Sequence, residues 1–260
     1  METKISGTTL PVLEVVLDPG DKLVAETGQL SWMTDSIALH TTTATGGASG
    51  IWGAVTRAIG GGGLFMTEFS APAQRGMVAF AAKVPGQILP LDLAHGRSYM
   101  VHRHGFLCGT NGVSLSMAFQ RSLGAGLFGG DGFILQKVSG PGTAWVELGG
   151  EIVTYDLPPG GVLKVHPGHV GMFEDSVSFD ITVMRGIRNA LFGGDGLFLA
   201  QLTGPGKVWL QTLTMPNLAH ALSPYFGGER SSGTGAAAAV VGAGVASAVF
   251  NGIFGGSDET

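Results

Sequence analysis

The sequence has little charge, a single cysteine and no basic stretch. Charged residues make up 13% of its 260 positions and hydrophobic residues 44%, a balance that favours a folded body over a disordered chain. The 14 Lys and Arg residues are scattered and the formal net charge is −5, so we expect no nucleic-acid partner. One cysteine, Cys108, excludes an intrachain disulfide and indicates a reducing compartment, with the thiol buried as a small apolar side chain.

The sequence also lacks the common signatures of targeting and catalysis. Its first residues show no apolar run after a basic stretch, so we expect no secretory signal and a cytoplasmic location. Residues 124–129 spell a dinucleotide-binding fingerprint but precede a strand pattern, and residues 204–207 are followed by Val208 where a phosphate loop needs Ser or Thr. There is no Gly-x-Ser-x-Gly elbow. We therefore expect no enzyme and no cofactor.

Glycine is abundant, with 45 residues, and it marks an internal repeat. Segments 126–147 and 190–211 share an aromatic-glycine tip, an apolar strand, a Gly-Pro-Gly turn and a second apolar strand. A diverged third copy begins near Gly62. Upstream of each copy, Gly20, Gly96 and Gly160 occupy matching turn positions, and Gly28, Gly105 and Gly168 follow them 8, 9 and 8 residues later. Repeats of this length indicate supersecondary units that stack on one another.

Each repeat predicts about five short strands, with period-two alternation clearest at 113–117 and 177–183. Such units cannot bury their apolar faces alone. The fold class that follows is all-β: three β-sandwich repeats, at 1–83, 84–149 and 150–226, arranged side by side about a pseudo-threefold axis so that each covers the next one's edge.

Helix signals are few. One or two helical turns are predicted before each tip, at 51–59, 118–123 and 185–192, and 215–222 is expected to cap the body. Residues 227–260 form a Gly/Ser linker and an Ala/Gly-rich tail. The tail is uncharged over 236–256, and its small residues leave three alternatives open: a mobile segment, a packing or oligomer helix, or a membrane contact.

The Gly-Leu-Phe-Gly-Gly-Asp-Gly tip, the strand at 204–211 and the turn at 167–171 resemble the altered-inheritance-of-mitochondria protein twenty-four family, a mitochondrial biogenesis family, over residues 13–211. The resemblance implies a fold similar to the tryptophan RNA-binding attenuation protein, with three sandwich units per chain. It implies no catalytic residues. The basic rim with which the attenuation protein holds RNA has no counterpart here, and its tryptophan cleft cannot be matched, so neither ligand is carried over.

Four residues are weak candidates for a metal site. His102 and His104 lie two apart on a predicted strand and would share a face, while His166 and Glu26 fall near the matching position in the other repeats. Histidine and carboxylate suit zinc. The alternative is that these are solvated strand residues on separate lobes.

The loop tips are candidates for contact with a partner, a membrane or another subunit. Phe128 and Phe192 occupy matching positions, with Ile59 in the diverged copy, and glycines beside the tips leave little backbone cover. The alternative is that each apolar side chain folds back under the adjacent lobe.

These observations favour a non-catalytic scaffold or interaction protein that self-associates and reaches a membrane surface or protein partner through its tips and tail. The alternative is a small-molecule-binding module with a ligand in a cleft between lobes. A metal-dependent enzyme is the third and least favoured hypothesis.

Overall fold

A computed structural model describes residues 1–42, 66–121, 132–184 and 197–225, which form antiparallel strands and one α-helix. The strands are β1 (Glu2–Ser6), β2 (Val12–Leu17), β3 (Lys22–Glu26), β4 (Trp32–Met33), β5 (Ala38–Thr42), β6 (Met66–Ser70), β7 (Gly76–Ala81), β8 (Gly86–Asp92), β9 (Tyr99–His102), β10 (Phe106–Thr110), β11 (Ser114–Arg121), β12 (Phe133–Ser139), β13 (Thr143–Gly149), β14 (Ile152–Leu157), β15 (Val162–Val165), β16 (Val170–Glu174), β17 (Ser178–Met184), β18 (Leu197–Thr203) and β19 (Gly206–Gln211). The all-β prediction is confirmed.

The strands form where apolar and polar residues alternate and end where glycine allows a turn. In β2, Leu13, Val15 and Leu17 are fully buried while the residues between them stay partly exposed, the pattern of a strand with one face on a core. Gly20 and Gly160 follow such strands with φ of 91° and 74°. Only glycine adopts these angles at little cost, so the repeated turn glycines fix where each strand reverses.

One pairing scheme occurs three times along the chain. We call β2–β7 unit 1, β8–β13 unit 2 and β14–β19 unit 3. In each unit the first and third strands flank the sixth, and the second and fourth flank the fifth. Each unit therefore has six strands, one more than the sequence predicted.

The units share sheets. In hydrogen-bonding order, sheet A is β1-β2-β7-β4, sheet B is β5-β6-β3-β10-β13-β8, sheet C is β11-β12-β9-β16-β19-β14 and sheet D is β15-β18-β17. Sheets B and C each join half of one unit to half of the next. The joining pairs are β3 with β10, which we call junction 1, and β9 with β16, which we call junction 2. Both pair the second strand of one unit with the third strand of the next.

Three apolar clusters lie between successive sheets. Cluster 1 joins sheets A and B around Phe69 and Phe80, cluster 2 joins B and C around Phe106 and Val138, and cluster 3 joins C and D around Phe173. Sheets B and C are therefore covered on both faces, and each contributes to two clusters.

The short helix predicted at 118–123 is wrong for residues 118–121, because β11 continues through Arg121 in register with β12. Phe119 packs its ring edge-on against Phe133 and Phe179, a contact that strand geometry provides. The other helical predictions, at 51–59 and 185–192, and the linker and tail at 227–260 lie outside the described residues.

The chain's one described α-helix, α1, spans Met215–Leu222. Thr214 caps it by accepting a hydrogen bond from the Asn217 backbone N–H at 3.2 Å, and Pro216 fits the first turn because no donor is needed there. Within the described ranges, no helix combines the length and the apolar character needed to cross a membrane.

Arrangement about a pseudo-threefold axis stays a prediction. Closing three units into a ring would require β15 of unit 3 to pair with β4 of unit 1. Across the described strands, β4 pairs with β7 and β15 pairs with β18, and the two lie at the edges of different sheets.

Candidate functional site: two open sheet edges

Strand β4 of unit 1 and strand β15 of unit 3 occupy the positions that form the junctions between units elsewhere in the structure. In sheets B and C the second strand of one unit pairs with the third strand of the next. β4 is the third strand of unit 1 and β15 is the second strand of unit 3, and among the described strands neither pairs with a strand of another unit. Both therefore present unpaired backbone groups within the described structure, the arrangement that invites strand addition.

Strand register identifies the equivalent residues on the third strands. Trp32 lies opposite Ala79 on β7, as Cys108 lies opposite Trp145 on β13 and Met172 opposite Trp209 on β19. The neighbouring residues follow the same order: Leu30 takes the place of Phe106 and Val170.

Exposure separates the equivalent residues sharply. Cys108 is fully buried and Met172 is 1% exposed, whereas Trp32 is 47% exposed. Leu30 is 36% exposed although Phe106 and Val170 are at most 1% exposed. A Trp and a Leu thus face solvent at an edge where the matching side chains of the other two units are covered.

The buried equivalents show what the missing cover is. Cys108, from unit 2, belongs to cluster 1, and Met172, from unit 3, belongs to cluster 2. The side chain at this position therefore fills the core of the preceding unit. Trp32 belongs to unit 1 and is not among the residues of the three clusters in the described part of the chain.

The opposite edge shows the complementary feature. On the second strands, Val24 packs against cluster 2 and Met100 against cluster 3, each the core of the following unit. At the equivalent position in β15, Lys164 is exposed, and Val162 at the start of the strand is 52% exposed. Within the described residues, the β15 edge therefore meets no following unit, and the β4 edge meets no preceding one.

Polar contacts seal junction 2 at its rim. Asp175 accepts hydrogen bonds from the Lys137 ammonium at 2.8 Å and the Ser98 hydroxyl at 2.9 Å. The Lys137 bond, together with Ser98, lowers the pKa of Asp175. In unit 1 the equivalent acid is Asp35, beside the open β4 edge, and it is exposed.

Three of the four metal candidates occupy one equivalent position, the residue after the junction-forming part of the second strand: Glu26, His102 and His166. The fourth, His104, does not share a strand with His102, because β9 ends at His102. His104 lies in the following turn with φ of 68°, where unit 1 has Gly28 at 90°, so the predicted shared face is wrong.

The candidates have different surroundings. The His102 Nε2 lies 3.3 Å from the Glu147 carbonyl oxygen, and burial lowers the pKa of His102 to about 4. His166 stacks edge-on with His169 at 6.0 Å between ring centroids, and burial followed by that neighbour lowers its pKa. No group of three or more His, Cys, Asp or Glu suited to a metal occurs among the residues that the structure describes.

Glu26 lies in a buried polar cluster at junction 1. The Gln136 Nε2 donates to its Oε1 at 2.9 Å, and burial raises the pKa of Glu26 despite that bond. Gln29 donates from its Nε2 to the Phe106 carbonyl at 3.1 Å. The Oε1 atoms of Gln29 and Gln136 are buried and have no partner in the described part of the chain. The cluster therefore contains two acceptor oxygens without a hydrogen-bond donor among the described residues.

Two surface hollows are small. One, of about 130 Å³, lies between Thr9, Gln87 and Glu151; the other, of about 250 Å³, lies between Thr3 and Met77. Both fall below the roughly 300–1,000 Å³ typical of small-molecule sites. The tip candidates Ile59, Phe128 and Phe192 lie outside the described residues. Cys108 is buried, as predicted, and burial raises its pKa well above the usual range.

Sequence reasoning missed the open edges. A signal was available, since Leu30 and Trp32 stand in the repeat where Phe106 and Cys108 stand in the next copy. Nothing in that pattern shows that the two copies differ in what covers them, because the junctions are pairings between units.

Comparison with known proteins gives consistent matches. The family model described as mitochondrial biogenesis AIM24 matches residues 3–213. An uncharacterised protein of Streptococcus pyogenes serotype M6, M6_Spy0233, is 27% identical over 220 residues, covering 83% of this chain and 86% of that protein. The crystal structure of the Streptococcus pyogenes protein SPYM3_0169 superposes with a TM-score of 0.68 at 22% identity, covering 86% of this chain and 99% of that one, and so supports the fold.

Proposed function

The chain belongs to the mitochondrial biogenesis AIM24 family, and from this premise we propose that it is a non-catalytic scaffold that associates with further copies of itself. One observation carries the proposal: Trp32 and Leu30 are exposed at an open sheet edge, while their equivalents in the same chain are buried inside a neighbouring unit. The surface is already of the kind that this fold uses to join its units.

The open sheet edges are stronger support for self-association than the exposure of Leu30 and Trp32 alone. Exposed single apolar residues are normal on protein surfaces. Here two of them flank unpaired backbone at the end of a sheet, and backbone pairing together with apolar burial is how peptide strands add to sheets. A matching open strand, β15, is present at the other end of the same chain.

Light scattering on the full chain tests the proposal. We expect the purified protein to have a mass that is a multiple of 26.6 kDa. The double variant Leu30→Ser/Trp32→Ser should approach the single-chain mass, because it removes the apolar contact at two side chains that are 36% and 47% exposed in the single chain. A wild-type chain that stays at 26.6 kDa at every concentration would contradict self-association.

A matched control uses two exposed apolar residues on another edge. Val153 and Tyr155 lie on β14, at the end of sheet C, and are 42% and 44% exposed. We expect Val153→Ser/Tyr155→Ser to keep the wild-type mass. Equal loss of mass in both double variants would indicate general surface stickiness instead of a specific edge.

A further inference from the structure

We propose that copies of this chain join head to tail, with β15 of one copy pairing antiparallel with β4 of the next in the register of junctions 1 and 2. The proposal rests on the proposed function and goes beyond it by naming the partner strand, its direction and its register. The partner is a second copy of this chain.

The register follows from residues that share a position in the three units. The second-strand set is Ala25, Val101 and Val165; the third-strand set is Trp32, Cys108 and Met172. Junction 1 places the first members opposite each other as Ala25 with Cys108, and junction 2 does so as Val101 with Met172. The remaining pair is Val165 with Trp32 of the next copy, which sets Lys164 opposite Met33.

Packing supports this pairing. At both internal junctions the third-strand residue enters the preceding unit's core, so Trp32 would enter cluster 3 of the neighbouring copy. Leu163 of that cluster is only partly buried, whereas its equivalents Leu23 and Tyr99 are 0% and 8% exposed. The arriving Trp32 would thus complete a core whose edge residue is less covered than its counterparts.

Direction follows from the same comparison. Each junction in the chain pairs a second strand with a third strand, and a contact of β4 with β4 or of β15 with β15 has no precedent in it. A β4–β4 contact would bring two exposed Trp32 side chains together with no core to receive them. Repeated head-to-tail contacts between identical chains produce a closed ring or a filament.

Disulfide trapping tests both direction and register. Residues directly opposite in an antiparallel pair have Cβ atoms about 4.5–5.5 Å apart, which is close to disulfide geometry. The buried Cys108 can stay in place. Full-length Met33→Cys and Lys164→Cys are prepared separately, mixed, mildly oxidised and analysed by non-reducing electrophoresis.

We expect the mixture to form a covalent dimer at least about tenfold faster than either variant alone, because pairing raises the effective thiol concentration. Asp35→Cys mixed with Lys164→Cys is the control, since it moves one thiol two residues out of register to a separation of about 7 Å or more. It should cross-link no faster than single variants.

The outcomes separate this proposal from the proposed function. An oligomeric mass with cross-links in a single variant means symmetric pairing, which overturns head-to-tail joining and leaves self-association standing. Equal rates for the in-register and control mixtures overturn the register. A single-chain mass, with an intrachain disulfide in Met33→Cys/Lys164→Cys or with none, overturns both, because the edges are then closed within one chain or covered by another occupant.

Discussion

The internal junctions and the two open edges, β4 and β15, involve equivalent strands of different units. They differ in whether a strand of another described unit lies beside them. At junction 2, Met172 is 1% exposed and fills the preceding core; at the β4 end, Trp32 holds the equivalent position at 47% exposure. Local structure is alike in both places, since each residue lies opposite the equivalent residue of its unit's sixth strand. The difference is therefore one of assembly and not of fold.

This comparison gives a physical criterion for recognising a functional surface. Exposure alone is weak evidence, because most protein surfaces expose apolar atoms. Exposure at a position that is buried twice elsewhere in the same chain is stronger. The internal copies supply the reference that shows what contact the side chain makes when a neighbour is present.

The largest expected effect separates the buried and exposed equivalents. Met172→Ala should lower the free energy of unfolding by about 2–4 kcal/mol, because it leaves a cavity in a closed core. Trp32→Ala should lower the unfolding free energy of the isolated chain by only about 1 kcal/mol, because 47% of the residue is already exposed, and should act mainly on oligomer mass. Urea unfolding under dissociating dilution measures both, and equal costs would contradict the comparison.

The next effect concerns two histidines at equivalent positions. His102 ends the junction strand β9, and His166 directly follows the edge strand β15. Burial lowers the pKa of His102 to about 4, so its neutral form is favoured in the fold. The resulting stability is present above pH 6.5 and is lost as the pH falls through 4, by about 1–3 kcal/mol. His102→Gln should flatten this acid limb of the stability profile.

His166→Gln is the matched control for His102→Gln. The pKa of His166 is lowered by burial and by His169, and His166 directly follows the edge strand β15. We expect a smaller change in the acid limb than for His102→Gln. An acid limb that neither substitution alters would show that burial at this position does not govern the pH dependence.

A third prediction concerns Glu26 at junction 1. Burial raises the pKa of Glu26. The contribution of Glu26 to folding stability is therefore present below its ordinary pKa and is lost as the pH rises through its raised pKa in the folded chain. The difference in unfolding free energy between Glu26→Gln and the wild type should therefore be about 1 kcal/mol more favourable to the variant at pH 7.5 than at pH 4.5. The same substitution at the exposed Glu151 should show no such difference, and a loss at pH 7.5 for Glu26→Gln would contradict the sign.

The smallest effect is expected from the rim of junction 2. Lys137 and Asp175 are 35% and 41% exposed, so Lys137→Ala should cost about 0.2–1 kcal/mol and less at high salt. Lys22→Ala, which removes the ion pair with Glu68 inside unit 1, should cost about the same. A much larger cost at the junction, measured by urea unfolding, would mean that polar contacts hold the units together.

Much of each unit could be predicted from the sequence because its signals are local. Alternation in β2 and β17 marks strands with one buried face, and the turn glycines Gly20 and Gly160 do have positive φ. The family resemblance, carried by the repeated tip and turn motifs, is also shown by the family match.

The remaining features depend on contacts that a local pattern does not contain. β4 has two residues, Trp32 and Met33, which is too short for alternation to be recognised. The helix predicted at the end of β11 is wrong because the strand there depends on pairing with β12. The junctions pair residues of different units, so the sequence offers the repeated residues but not their exposure.

Hydrogen exchange on the unmodified full chain tests the central claim most directly, because it observes both ends at once. We expect the backbone amides of β4 and β15 to be protected at high protein concentration and to exchange faster on dilution, while β3, β9, β10 and β16 stay protected throughout. Trp32→Ser should show the fast exchange at both ends even at high concentration. Protection of β4 and β15 that changes neither with dilution nor in Trp32→Ser would contradict pairing of these strands between copies.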